Sequence, residues 1–219
     1  MSVIGQSCPE QAFLPSVVAA TRQVGQDLPM ADRSKTTVDP AQVKQALDRP
    51  VALVGMMGSG KSLVGRRLAR ELDLPFVDSD TRVEAAAGIS ISEIFEIAGE
   101  AKFRTMEEDA IGEAITEGPM VLSTGGGAIC AKGTADLLCS RCIVVWLFAE
   151  PETLLARIGS VGTRPLLHGG NPLETLRKLA ATRESDYGKA HITVKTDKLS
   201  AKTATTAVLS ALDTHLAVT

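Results

Sequence analysis

Aromatic residues are nearly missing from this chain: one Trp, one Tyr and five Phe make up 3% of 219 residues. A nucleic-acid platform that stacks bases on aromatic faces is therefore poorly supplied. An excess of one charge is missing too. The 23 Lys and Arg stand against 26 Asp and Glu, a net charge of −3. No global field draws the chain to nucleic acid or anionic lipid, so an anionic ligand has to be met by a local cluster of cations. No apolar run approaches the roughly 20 residues that cross a bilayer. The N-terminus lacks a basic region followed by an apolar stretch. Its nearest candidate, FLPSVVAA, is short and follows Glu10, which argues against a secretory signal. Arg22 and Arg33 are interspersed with Asp27, Asp32 and Asp39, unlike an acid-poor transit peptide. Heptads and an evident apolar stripe are absent as well. The expectation is a cytoplasmic monomer with no nucleic-acid or membrane partner.

Cysteine is sparse. Cys8, Cys130, Cys139 and Cys142 contain a single C-x-x-C, and a zinc site usually needs a second ligand pair. Cys142 opens the apolar run CIVVWLF. Reduced structural thiols are expected rather than a metal or redox centre.

What is present is an alternation of short apolar runs and helical periods. Residues 1 to about 38 show no period and are expected to be a partly disordered tail. DPAQVKQALD at 39–48 has a capping Asp39 and Pro40 at the first helical position, the signature of a short helix. From Pro50 onward VALVG, LPFVDSD, MVLSTGG, CIVVWLF and HITVKT read as strands. Between them lie helical stretches: KSLVGRRLARELD, two or three helices over 81–117, PETLLARI, PLETLRKLAATRESDYGKA and AKTATTAVLSALDTHL. GSVGTRPLLHGGN reads as a loop, whose Gly162, Gly169 and Gly170 suggest mobility. Strands alternating with helices imply an α/β fold, a parallel sheet covered on both faces.

The stretch GMMGSGKS, residues 55–62, carries the most specific signal. G-x-x-x-x-G-K-S between a strand and a helix is a phosphate-binding loop. Its glycines aim backbone N–H groups at phosphate oxygens, and the following helix presents its positive end. Lys61 can reach the β and γ phosphates, and the Ser62 hydroxyl can ligate Mg²⁺. Asp78 and Asp80 end a strand expected beside the first. They point the same way if the strand continues. One could hold a water on Mg²⁺ and the other could accept from a substrate hydroxyl. A simple strand-end turn, with Asp80 capping a helix, is the alternative.

Arg104 stands near Glu107 and Glu108. It can be a surface ion pair or a fork that grips a carboxylate. Gly125, Gly126 and Gly127 follow a strand, and three glycines together suit a backbone that approaches a ligand closely; a tight turn without a ligand is the alternative. Arg164, in VGTRPLL, can close over a nucleotide or be solvated. Arg183 in ATRESDY can be a helix-surface charge, and Arg157 a favourable C-terminal cation.

Taken in order, GMMGSGKS, FVDSD, IFEIAGEAKFRTMEED, VLSTGGGAI, TRPLL and TRESDY resemble the shikimate kinase family, small P-loop kinases of the nucleoside-monophosphate-kinase type. The resemblance covers roughly residues 50–215. It implies a three-layer P-loop sandwich with a central five-stranded parallel sheet, a helical substrate-binding insert at about 79–118 and a mobile lid at about 158–171. Residues 1–48 would be an extension and 49–219 a single kinase domain. It implies ATP and Mg²⁺, shikimate as acceptor, and 3-phosphoshikimate and ADP as products. Gly58, Ser59, Gly60, Lys61, Ser62 and Leu63 would hold ATP. Asp78 would meet Mg²⁺ through water, and Arg157 would lie against adenine. Asp80 would bind the substrate hydroxyls and orient, or deprotonate, the attacking one. Arg104, Arg183 and the backbone at Gly126 and Gly127 would hold the acid, with Phe95 and Phe103 nearby. Arg164 would come onto the transferring phosphate. Another small hydroxy acid such as gluconate, or nucleotide binding without catalysis, are the alternatives to be tested.

Overall fold

The structure, a computed structural model, describes residues 38–159 and 170–218. The chain clusters into two units, 1–36 and 37–219. The second opens with α1, Pro40–Ala46, capped by Asp39. Val43 and Leu47 are buried in the main core, so α1 is part of that unit. The expected extension at 1–48 thus divides: its helix belongs to the sheet domain, and residues 1–37 lie outside the described residues, Cys8 among them.

The sheet has five parallel strands: β1 Val51–Val54, β2 Phe76–Asp78, β3 Val121–Ser123, β4 Ile143–Phe148 and β5 Ile192–Lys195. Their spatial order is β2-β3-β1-β4-β5. The expectation that β2 lies beside β1 is therefore corrected. β3 stands between them, pairing Val121 with Val51 on one side and with Phe76 on the other. A helix that crosses the face of a parallel sheet can pass over a strand position, although consecutive strands are more often neighbours. The sequence periods do not record which.

Helices cover both faces. They are α2 Lys61–Glu71, α3 Ser79–Ala87, α4 Ile91–Ile115, α5 Lys132–Arg141, α6 Pro151–Arg157, α7 Pro172–Tyr187 and α8 Ala201–Leu216. Side chains alternate along a strand, and β1 shows the result. Val51 and Leu53 join the core that contains α1, α2 and α8 residues. Ala52 and Val54 join the opposite core with Ile111, Leu138 and Leu176. Three α/β/α layers follow.

α3 and α4 enclose a small core of their own, Val83, Ile94, Phe103 and Ala110. Phe95 packs on Phe103 with ring centroids 5.0 Å apart. α4 begins with a reciprocal cap: Ser90 Oγ accepts from the Glu93 N–H, and the Ser90 N–H donates to Glu93. It kinks at Gly99, whose φ of 76° suits glycine alone. The two or three helices expected over 81–117 are thus a helix and a kinked helix. α5 and the short 3₁₀ turn Ala128–Cys130 were not anticipated.

Candidate functional site

The C-terminal ends of β2, β3 and β1 meet in register. Asp78 lies opposite Ser123, and Ser123 opposite Leu53. Ligands in open α/β sheets bind outside such ends, where the chain leaves a strand in opposite directions. β1 is that strand here, with β3 on one flank and β4 on the other.

The loop after β1 turns inward through Gly55, with φ of 145°. A Cβ at Gly55 would stand 2.6 Å from the Leu147 carbonyl oxygen, so a side chain is excluded by space as well as by conformation. α2 starts at Lys61 with Gly60 as its cap residue and no side-chain cap. The positive end of the helix borders the cleft, an arrangement that suits an anion. The Lys61 ammonium is buried and donates to the carbonyls of Gly55 at 2.8 Å and Met56 at 3.1 Å. It braces the loop it would serve. Ser62 Oγ donates to Asp78 Oδ2 at 2.8 Å and lies 3.2 Å from Ser123 Oγ.

These residues line a cleft of about 510 Å³ that runs from Met57 through Leu63 to Asp78, Asp80, Ser123, Gly126, Arg157 and Thr196. Arg157 donates to the Thr196 hydroxyl at 3.1 Å and also to its carbonyl. It braces the turn after β5 and is more than a C-terminal cation on α6. Leu63 is exposed at the cleft wall.

One expectation about the carboxylates is corrected. β2 stops at Asp78, and Ser79 begins α3. Asp78 and Asp80 are therefore not strand neighbours sharing a direction. Asp78 turns to Ser62, and Asp80 sits in the first turn of α3. Asp78, the N-cap residue of α3, makes no side-chain cap hydrogen bond.

The triple glycine gathers the rest. A Cβ at Gly125 would stand 2.3 Å from Glu107 Oε1 and 2.9 Å from Asp80 Oδ1. At Gly127 it would stand 2.4 Å from Arg104 Nη2. Arg183 donates to the Gly126 carbonyl at 3.3 Å, and the Tyr187 hydroxyl donates to the same oxygen. Gly126 also packs against the phosphate loop, with the Met57 nitrogen 3.4 Å from where its Cβ would be. Asp80, Glu107, Arg104 and Arg183 thus converge on one turn that borders the phosphate cleft.

Arg104 is not a surface pair. It donates to Glu107 at 2.7 Å and to Glu100 at 2.9 Å, and Glu107 is fully buried. Burial raises the Glu107 pKa, and nearby Asp80 adds to the rise, while Arg104 opposes it. Sequence reasoning named Glu107 only as a surface ion-pair partner of Arg104, and passed over Tyr187 and Thr196. Only the i,i+3 spacing of Arg104 and Glu107, and the i,i+4 spacing of Arg183 and Tyr187, gave any hint. Arg164, Gly162 and Gly169 lie outside the described residues, as does most of the expected lid.

With this geometry in view, a family model described as shikimate kinase matches residues 57–213. The chain belongs to the shikimate kinase family. A shikimate kinase from Nitrobacter winogradskyi is 46% identical over 156 residues, 71% of this chain and 73% of its own. The structure of a shikimate kinase from Acinetobacter baumannii in complex with shikimate aligns with a TM-score of 0.74 and 37% identity. It covers 78% of this chain and 97% of that one. A gluconokinase from Sinorhizobium meliloti aligns with a TM-score of 0.51 at 17% identity over 78% of this chain and 95% of its own. That likeness is one of fold alone. The five-stranded parallel sheet between helical layers is the P-loop architecture expected of the family.

Proposed function

We propose that this chain transfers the γ-phosphoryl group of ATP to the 3-hydroxyl of shikimate, giving 3-phosphoshikimate and ADP. The carrying observation is the Gly125–Gly127 turn. It borders the phosphate cleft on one side and is packed by Asp80, Glu107, Arg104 and Arg183 on the other. Phosphoryl transfer asks for positioning and charge neutralisation, and this turn brings acceptor and donor seats together.

ATP phosphates are held by the N–H groups of the 58–63 loop and by Lys61, with Leu63 and Arg157 toward the base. Ser62 and Asp78 offer a hydroxyl and a carboxylate oxygen 2.8 Å apart at the cleft, a hard-oxygen pair that suits Mg²⁺ directly and through water. The bound cation would neutralise phosphate charge. Arg104 and Arg183, with the Gly126 and Gly127 backbone, receive the carboxylate and ring hydroxyls of the acid. Each charge-assisted bond is worth about 1.5–3 kcal/mol. Asp80 accepts from the attacking hydroxyl and orients it. As that oxygen bonds to the γ phosphorus, the bond from phosphorus to the bridging oxygen breaks and ADP leaves with the electron pair, while the hydroxyl proton passes to the Asp80 carboxylate or to an oxygen of the transferred phosphate. Arg164 is assigned to the transferring phosphate on the resemblance alone. The substrate insert at 79–118, residence in the cytoplasm and a monomeric state complete the reading; no helix among the described residues is long and apolar enough to cross a membrane.

The test is ADP release from Mg-ATP with shikimate, with gluconate and with water. Release with shikimate alone supports the reading. Release with gluconate transfers it to another acid. No release from protein that binds ATP leaves nucleotide binding without catalysis. Light scattering checks the monomer.

A further inference from the structure

The single tyrosine of the chain has no part in the reaction as described so far. Tyr187 is 1% exposed at the C-terminal end of α7. Its ring stacks on the single tryptophan, Trp146 of β4, with centroids 5.4 Å apart and planes 15° from parallel. The stack leaves the phenol one orientation, and its hydroxyl donates to the Gly126 carbonyl. Arg183, one helical turn earlier, donates to the same oxygen. A carbonyl oxygen has two acceptor sites, so this one is filled by protein donors.

A trans peptide is planar, and its C=O and N–H point in opposite directions. Holding the Gly126 carbonyl toward α7 therefore turns the Gly127 N–H away from α7. Among the described residues no hydrogen bond engages that N–H. Glycine at 125, 126 and 127 would leave this peptide free to flip without an anchor. We propose that Tyr187 is a positioning residue for the acid: its hydroxyl fixes the Gly126–Gly127 peptide so that the Gly127 N–H and Arg183 meet the substrate already oriented. This rests on the acid being seated at that turn. Burial pushes the phenol pKa up, with the Cys130 thiol adding to the rise, so the hydroxyl keeps its proton and remains a donor across the working pH range.

The test pairs Tyr187→Phe with a spectroscopic probe. Phenylalanine keeps the stack on Trp146 and removes only the hydroxyl. The KM for shikimate is expected to rise roughly three- to tenfold, the value of one neutral hydrogen bond, with the KM for ATP unchanged and the melting temperature lowered by no more than about 5 °C. An unchanged KM for shikimate overturns the proposal. So does an equal rise in both KM values with a larger fall in melting temperature, which marks a purely structural role. In the wild-type chain, fluorotyrosine labels position 187 alone. Its ¹⁹F resonance is expected to shift on adding shikimate, and a resonance unmoved at saturating shikimate overturns the proposal even if the phenylalanine variant fails to fold. Wild-type protein with no turnover of shikimate sinks the functional reading instead, a result distinct from each of these.

Discussion

A side chain at Gly127 fits only if Arg104 moves, because a Cβ would meet the Arg104 guanidinium at 2.4 Å. Gly127→Ala is therefore expected to displace Arg104. It should raise the KM for shikimate roughly 10- to 100-fold, as Arg104→Ala would, because a charged hydrogen bond is lost. The KM for ATP should hold. Steady-state kinetics check this, and an equal rise in both constants rejects it. Asp80→Asn is expected to abolish turnover while calorimetry still records ATP binding; near-normal turnover would remove Asp80 from the role assigned to it. The types at these positions were legible as residues. Their environments were not. Arg104 and Glu107 look like a surface pair in one dimension, and only packing against Gly125 and Gly127 shows that Glu107 is fully buried.

Elements were legible where their ends carry local chemistry. α4 starts where Ser90 and Glu93 cap each other, and Ser90→Ala is expected to cost about 1 kcal/mol. Urea unfolding monitored by circular dichroism would show it, and an unchanged midpoint would mean that tertiary packing alone holds this end. α5 escaped notice because it begins without a side-chain cap, at Ala131, and includes Gly133 in its first turn. Its Ala135 and Leu138 are buried only because the sheet face lies beneath them. The Asp78-Ser79-Asp80 stretch carries strand and helix tendencies together. Tertiary structure ends the strand at Asp78, where it pairs with Ser123, and starts α3 at once.

At the scale of the whole molecule, the seam between β4 and the chain end carries a pH dependence. His191 Nδ1 accepts from the Val144 N–H at 2.9 Å, which requires that nitrogen to be unprotonated. Burial lowers the His191 pKa below its ordinary 6.5, and His215 and Arg49 lower it further. Asp48 and Cys142 border the same recess; burial pushes the Cys142 thiol up to about 12, so it brings no charge. A histidine with a depressed folded pKa contributes stability that is present above 6.5 and lost as pH falls below it. The melting temperature is expected to fall between pH 6.5 and 5.5. His191→Asn, which keeps an acceptor, should flatten that decline. An identical decline in both proteins would place the loss elsewhere.

The sequence by itself determined the alternation of strands and helices apart from α5, the phosphate loop, and the identity of every residue proposed to touch substrate. It could do so because these rest on local rules: side-chain period, caps, and glycine where the backbone must turn. Tertiary structure alone decided that β3 lies between β2 and β1, that Asp78 and Asp80 face different partners, and that Glu107 and Tyr187 stand behind the glycine turn. Those outcomes depend on which surfaces meet across the sheet, a long-range choice that no short stretch of chain encodes.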